Sequence, residues 1–329
     1  MDNVVIKKYN SKESLKESID LCNGFENFNS NNSILIKPNL VYCQENHKTP
    51  PYGVVTTTRI IKDIIELLKD YGIDDITIGE GSVIFNDKGT EEAFKTLGYY
   101  ELKKKYGIKL IDFNECKYKK HELHDDFHLH IAEPVFECDH IINVPVLKTH
   151  ALTKVSLGLK NLKGCLSIAT KKNCHNKKYD LEYCIAQLAS IINPDLTIID
   201  GTYTIERGPL YQGTAHYKNI IVASKNILAA DCVGASLLGF NPGEINQFTN
   251  FSKIKETSFD LDTFSIKGDN IDREQTQYLY DFEWNEENTR PKSSKNFKIP
   301  ETDNLCCPKY DNTMCTGCIG LYSTSLALY

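Results

Sequence analysis

The sequence has little arginine. Its basic side chains are almost all lysine, and the guanidinium groups are confined to Arg59, Arg207, Arg273 and Arg290. No segment is basic over a long run, and the formal net charge is -6. Binding duplex nucleic acid requires a concentrated cationic face, so no nucleic-acid partner is expected. Long apolar runs are missing as well. No stretch reaches the roughly 20 apolar residues of a membrane-spanning helix. The opening MDNVVIKKYNSKESLKESID lacks the apolar centre of a secretory leader. No membrane partner is expected, and the expected compartment is the cytoplasm. Thiols stay reduced there, so the twelve cysteines do not read as a disulfide framework. Internal repeats and low-complexity tracts are also absent.

The 329 residues, 41% hydrophobic and 25% charged, suffice for one large domain or two ordinary ones with a real core. Strand and helix patterns alternate along most of the chain. Residues 33–40, 75–81, 108–114 and 140–148 read as strands. Residues 56–72 read as a helix, with Ile60, Ile61, Ile64, Ile65, Leu67 and Leu68 at helical spacing. Residues 90–107 read as a second helix, with Thr90 as N-cap. A second series follows: helix 181–193, strand 195–201, strand 218–226 and helix 227–240. This rhythm predicts an α/β protein with parallel sheets and crossover helices. The expected organisation is two Rossmann-like lobes over 1–150 and 151–249. An irregular linker or lid over 250–300 and a cysteine-rich module over 301–329 follow.

That module carries LCCPKYDNTMCTGCIG. Cys306, Cys307, Cys315 and Cys318 fall within thirteen residues, and Cys315-x-x-Cys318 lets two thiolates converge on one centre. An iron–sulfur cluster, of 4Fe-4S type, is the first expectation; a zinc ion is the alternative. Cys306 and Cys307 are neighbours whose side chains diverge, so three or four of these cysteines would ligate. The ferredoxin spacing C-x2-C-x2-C-x3-C is absent. The other eight cysteines are scattered and read as small buried apolar residues.

A second constellation lies in NVPVLKTHALTKVSLGLKNLKGCLS, residues 143–167. It gathers Asn143, Lys148, His150, Lys154, Lys160, Asn161 and Lys163. Lys148 and His150 follow the end of a strand, where α/β sheets place their ligands. Ammonium and amide donors suit a carboxylate or phosphate; a solvated lysine-rich loop is the plain alternative. Lys37 and Asn39 end the first strand of the rhythm and Glu80 ends the next. One cleft is therefore expected, with Lys37, Asn39, Asn143, Lys148, Lys160 and Asn161 binding a small anionic substrate. Glu80, His150 and Lys148 would be its catalytic groups. The histidines of HELHDDFHLH (121–130) read as an exposed polar hairpin.

The run IINVPVLKTHALTKVSLGLKNLKGC resembles the central signature of domain-of-unknown-function family 362. The likeness extends through ILIKPNLV, TTTR, ITIGEGS, AFKTLGY, PDLTIIDG, RGP and AADCVGASLLGF, about residues 33–245. The resemblance implies an iron–sulfur protein. Many members carry an appended ferredoxin module, and this chain has the compact CC…CTGC group in its place, which implies a single cluster. The expected function is a redox or cluster-assisted enzyme acting on a small anion. The alternatives are an electron or cluster carrier docking to a redox partner protein, and a zinc-stabilised binding module.

Overall fold

The computed structural model describes residues 1–43, 52–83, 89–124, 127–175, 180–208 and 213–281. The strands are β1 Asn3–Lys8, β2 Ile34–Pro38, β3 Ile76–Glu80, β4 Lys109–Asp112, β5 Tyr118–His124, β6 Phe127–Ala132, β7 His140–Val144, β8 Val146–His150, β9 Lys154–Ser156, β10 Leu196–Glu206, β11 Thr214–Ser224 and β12 Ser265–Gly268. The helices are α1 Lys12–Leu21, α2 Thr58–Asp70, α3 Gly89–Thr96, α4 Tyr99–Tyr106, α5 Gly158–Asn161, α6 Ile168–Asn173, α7 Leu181–Ile192, α8 Ile227–Leu237, α9 Asn246–Lys255 and α10 Ile271–Glu274.

Strands β12-β1-β11-β10-β7-β2-β3-β4 lie side by side in that order, and β8 and β9 extend the sheet from β10. Only β11 and β9 run against the others. The fold is α/β with a largely parallel sheet, as the alternating pattern implies. The two lobes expected on either side of residue 150 share this sheet, because β10 pairs with β7 and β1 pairs with β11 and β12. Side chains alternate along each strand, so one sheet feeds two cores. Val5, Ile34, Ile36, Ile142, Ile198 and Ile221 face one core, closed by α1, α2, α3 and α4. Val4, Ile6, Leu35, Ile141, Ile199 and Val222 face the other, closed by α5, α7, α8 and α9. The two halves of the sequence thus cover opposite faces of one sheet. Strands buried on both faces read as continuous apolar runs, which identifies them as strands without saying which sheet they join.

Three further expectations change. The helix expected over 90–107 is two helices, because Gly98 sits at φ 76° and turns the chain between α3 and α4. Thr90 lies inside α3 rather than capping it, and its hydroxyl donates to Asp112. The linker expected over 250–300 contains the end of α9, the edge strand β12 and the short α10 in its described part. The polar hairpin is present as β5 and β6, but Phe127, Leu129 and Ile131 bury one face of it in the core. Among the described residues, no helix is long and apolar enough to cross a membrane.

Candidate functional site

β2 and β3 end side by side, and the chain of β7 passes through Pro145 into β8, which continues beside β10. These C-terminal strand ends bring together most of the residues singled out in the sequence. Lys37 is 1% exposed and Glu80 2%. The Lys37 ammonium donates to Glu80 Oε2 at 2.8 Å, to the Pro38 carbonyl at 2.8 Å and to Asn161 Oδ1 at 3.2 Å. Asn39 Nδ2 donates to the same Asn161 oxygen at 2.9 Å. Lys148 Nζ donates to Asn39 Oδ1 at 2.9 Å and to the Val54 carbonyl at 2.6 Å. Asn161 Nδ2 donates to Asn143 Oδ1, and Asn143 Nδ2 donates to the Gly158 carbonyl. Glu80, Lys37, Asn161, Asn39 and Lys148 thus form one continuous buried chain of hydrogen bonds, braced by Asn143. Each of these six side chains has a hydrogen-bond partner, as burial demands.

The chain is closed over Lys37 and Glu80. Glu80 also accepts the Leu40 and Gly81 amides. The turn at Gly164 presses on the pair: a Cβ there would lie 2.1 Å from Glu80 Oε1 and 2.6 Å from Lys37 Nζ. The Glu80 carboxylate is therefore engaged on both oxygens and roofed by backbone, which suits an anchor. His150 is different. Its Nδ1 accepts the Leu152 amide at 3.0 Å, so in the neutral ring the proton sits on Nε2, which is left as a donor. Burial, reinforced by the charges of Lys160, Lys148 and Lys163, holds His150 well below the usual histidine range, so the ring is neutral near pH 7.

Around His150 lies a group of cations. Burial lowers Lys148 to about 7, with Glu80 opposing the shift and Lys37 adding to it. Burial, Lys163 and Lys148 push Lys160 well below its ordinary value. Lys163 is lowered to about 8 by burial and faces His175 Nε2. His175 is itself lowered to about 3 by burial, Lys163 and Lys160. Lys171 seals the far side, donating to the Gly81 carbonyl and to Asn114 Oδ1.

The sequence reading did not reach Lys163 and His175 as a pair, nor Lys171. It also missed Asp231, which is wholly buried on α8. Its Oδ1 and Oδ2 accept the Gly158 and Leu159 amides at 2.6 and 2.8 Å, which fixes α5 and with it Lys160 and Asn161. A lone carboxylate in the apolar run AADCVGASLL was the available signal.

Cys306, Cys307, Cys315 and Cys318 lie outside the described residues, as does the helix expected from Ile319, Tyr322 and Leu326. Of the other eight cysteines, Cys22, Cys43, Cys165, Cys174, Cys184 and Cys232 are buried and Cys116 and Cys138 half-buried. Among the described residues no three His, Cys, Asp or Glu side chains gather as metal ligands. A separate cavity of about 200 Å³, lined by Asn27, Phe28, Asn193 and Lys225, adjoins Asp195, just before β10 begins, and shares no residue with the lysine cluster.

Fold and site define an α/β protein whose parallel strand ends converge on a buried lysine–asparagine network, with His150, Lys160 and Lys163 close by. The model of the family "Domain of unknown function (DUF362)" matches residues 34–236, and the chain belongs to that family. It is 26% identical over 242 residues to the thylakoid-associated protein sll1697 of Synechocystis sp., covering 70% of this chain and 71% of that one. The lactate racemase apoprotein of Thermoanaerobacterium thermosaccharolyticum aligns with a TM-score of 0.38 at 13% identity over 65% of this chain. The alignment spans about half of that racemase, 54% of its length.

Proposed function

We propose that the chain is a cytoplasmic enzyme that binds a small anion, a carboxylate or a phosphate, in the cleft at His150, Lys160 and Lys163. In this reading a cluster held by Cys306, Cys307, Cys315 and Cys318 assists the reaction. The observation that carries the reading is the crowding of ammonium groups at the strand ends with too few carboxylates. Glu80 is committed to Lys37, and Lys160 has no hydrogen-bond or ion-pair partner among the described residues. Cations held together against their own repulsion and desolvation gain most from an anion placed between them.

The roles divide by exposure. The closed chain from Glu80 to Lys148 orients the strand ends and the Asn161 turn. Lys160 and Lys163 supply charge to the anion, and His150 donates from Nε2. Four thiolates within thirteen residues are a donor set that fits an iron–sulfur cluster. Such a cluster would supply single-electron chemistry or an iron site open to substrate. If it passes electrons, a redox partner protein must supply or accept them.

The test is calorimetric titration of the anaerobically purified chain with inorganic phosphate and with small carboxylates. Lys160→Met keeps the aliphatic stem and removes the charge. Losing one charge-assisted hydrogen bond should weaken binding about ten- to hundredfold. Unchanged affinity in Lys160→Met, or no binding of either anion class by the native chain, overturns the reading.

A further inference from the structure

Two of the scattered cysteines are in contact. Cys174 and Cys184 are each 1% exposed, and their side chains share a hydrogen bond. Cys22, Cys116 and Cys138 instead donate to backbone carbonyls three or four residues back. The pair is assembled from separate elements. Cys174 ends α6, where its amide donates to the Thr170 carbonyl. Cys184 lies in the first turn of α7, where its amide donates to the Asp180 carbonyl. A third element, the turn Leu162–Cys165, brings in Lys163. The Lys163 ammonium feels the charge of both sulfurs. It also meets Nε2 of His175, the residue after Cys174, at 2.5 Å. No third metal-ligating side chain joins the two sulfurs among the described residues.

From this contact we infer that Cys174 and Cys184 are a redox-active pair, which hydrogen peroxide closes into a disulfide between α6 and α7, with Cys174 as the attacking sulfur. The inference is independent of the anion-binding reading, because it stands on the two sulfurs alone. The two thiols are unlike. The hydrogen bond from Cys184, and after it the charge of Lys163, favour the Cys174 thiolate against its burial. The same hydrogen bond, together with burial, holds Cys184 as the thiol. One sulfur is thus the nucleophile and the other keeps a proton to give, the division of labour of an attacking and a resolving cysteine. Burial discriminates against bulky oxidants, and hydrogen peroxide is little larger than water. Solvent is one residue away on either side of Cys174, since Asn173 is exposed and His175 half-buried.

The peroxide is the oxidant, and the step balances. The Cys174 thiolate attacks one peroxide oxygen, so the S–O bond forms, the O–O bond breaks and hydroxide leaves to be protonated to water. Cys174 is then a sulfenic acid. The Cys184 sulfur attacks Cys174, the S–S bond forms, and the hydroxyl departs with the Cys184 proton as a second water. Two thiols lose two electrons and two protons, and one peroxide becomes two waters.

The test is disulfide mapping on the full chain, purified anaerobically with its thiols reduced. Hydrogen peroxide is added, and the chain is then denatured, alkylated and digested with trypsin without reductant. Trypsin cuts after Lys172, Lys177 and Lys178, so the two cysteines leave on separate peptides unless a disulfide joins them. The expected product is that joined pair, released by dithiothreitol, with Cys22 recovered as an alkylated thiol. In Cys184→Ser the pair is absent and Cys174 is trapped by dimedone as the sulfenic acid. Recovery of both Cys174 and Cys184 as alkylated thiols after the peroxide is consumed overturns the inference. So does a bond from either of them to a different cysteine, or Cys174 carried to the sulfinic acid with Cys184 still a thiol. The native chain alone decides these outcomes, so a Cys184→Ser chain that fails to fold leaves the test intact.

Discussion

A lysine brought into a protein interior either finds a carboxylate or gives up part of its charge, and this site contains both solutions within one chain of hydrogen bonds. Lys37 pairs with Glu80. Lys148 is given two neutral acceptors and is lowered to about 7 by burial. The second solution has a consequence for stability. In the unfolded chain Lys148 keeps its proton up to its ordinary value near 10.5, while the folded chain releases it from about 7 upward. The unfolded state then binds more protons, so stability rises with pH above 7. Lys148 contributes up to about 1 kcal/mol between pH 7 and 8. Lys163 and Lys171, lowered to about 8, add to the rise with the same sign. Three opposing side chains bound the window. Asp231, raised to about 7 by burial, loses its contribution as pH climbs toward 7 and so acts below it. Cys138 and Cys165, raised by burial to about 12, oppose the rise once ordinary thiols ionise above about 8.5. Urea denaturation midpoints should therefore increase from pH 7 to pH 8. In Lys148→Met the increase should be smaller but still present. A native chain whose midpoint is flat or falling over that interval contradicts a buried, neutralised lysine here.

At the scale of the element, α5 spans only four residues yet carries Lys160 and Asn161. So short a helix has little stability of its own, and it is held from outside by Asp231 at its start and by the Gly164 turn after its end. Asp231→Ala leaves two buried amides without acceptors and should cost about 2 kcal/mol or more. Gly164→Ala places a methyl group against the Lys37–Glu80 pair and should cost about 1–3 kcal/mol. Gly107 is a useful contrast, because a Cβ there meets nothing within 4 Å and its only penalty is the left-handed φ of 68°. Chemical denaturation ranks the three, and Gly164→Ala no more destabilising than Gly107→Ala would mean that the turn does not press on the pair. What the sequence revealed follows from the same local logic. Strand ends in a parallel sheet meet at one edge, so Lys37, Asn39, Glu80, Asn143 and Lys148 could be assembled from strand pattern alone. Asp231 could not, because its partners Gly158 and Leu159 lie on an element far away in sequence, and the pairing of Lys163 with His175 across the turns around α6 leaves no periodic signal. The break at Gly98 was hidden because TEEAFKTLGYYELKKKYG keeps a helical periodicity across it.

At the scale of the whole molecule, the proposed cluster remains the largest chemical question. Thiolate density over 306–318 predicts that anaerobic preparations are brown and contain iron with acid-labile sulfide. Cys315→Ser with Cys318→Ser should abolish the colour. Substitution of Cys22, which is buried beside α1, should leave it unchanged. Stoichiometric zinc without labile sulfide overturns the assignment. The sheet carries a different lesson. The alternation of strands and helices was legible, but assigning them to one sheet or two was not, because pairing between residues as far apart as Val4 and Ser224 leaves no local trace.

That pairing also sets a timetable. β1 leaves the ribosome before any other described strand, yet its neighbours are residues 214–224 and 265–268. At about 5–20 residues per second the wait for them is roughly ten to fifty seconds. Through that interval Val4, Val5 and Ile6 have apolar faces to bury and two open edges, while the parallel strands downstream can already begin to pair. Lys7 and Lys8, directly beside the apolar triplet, are the kind of charge that discourages a waiting strand from joining another chain.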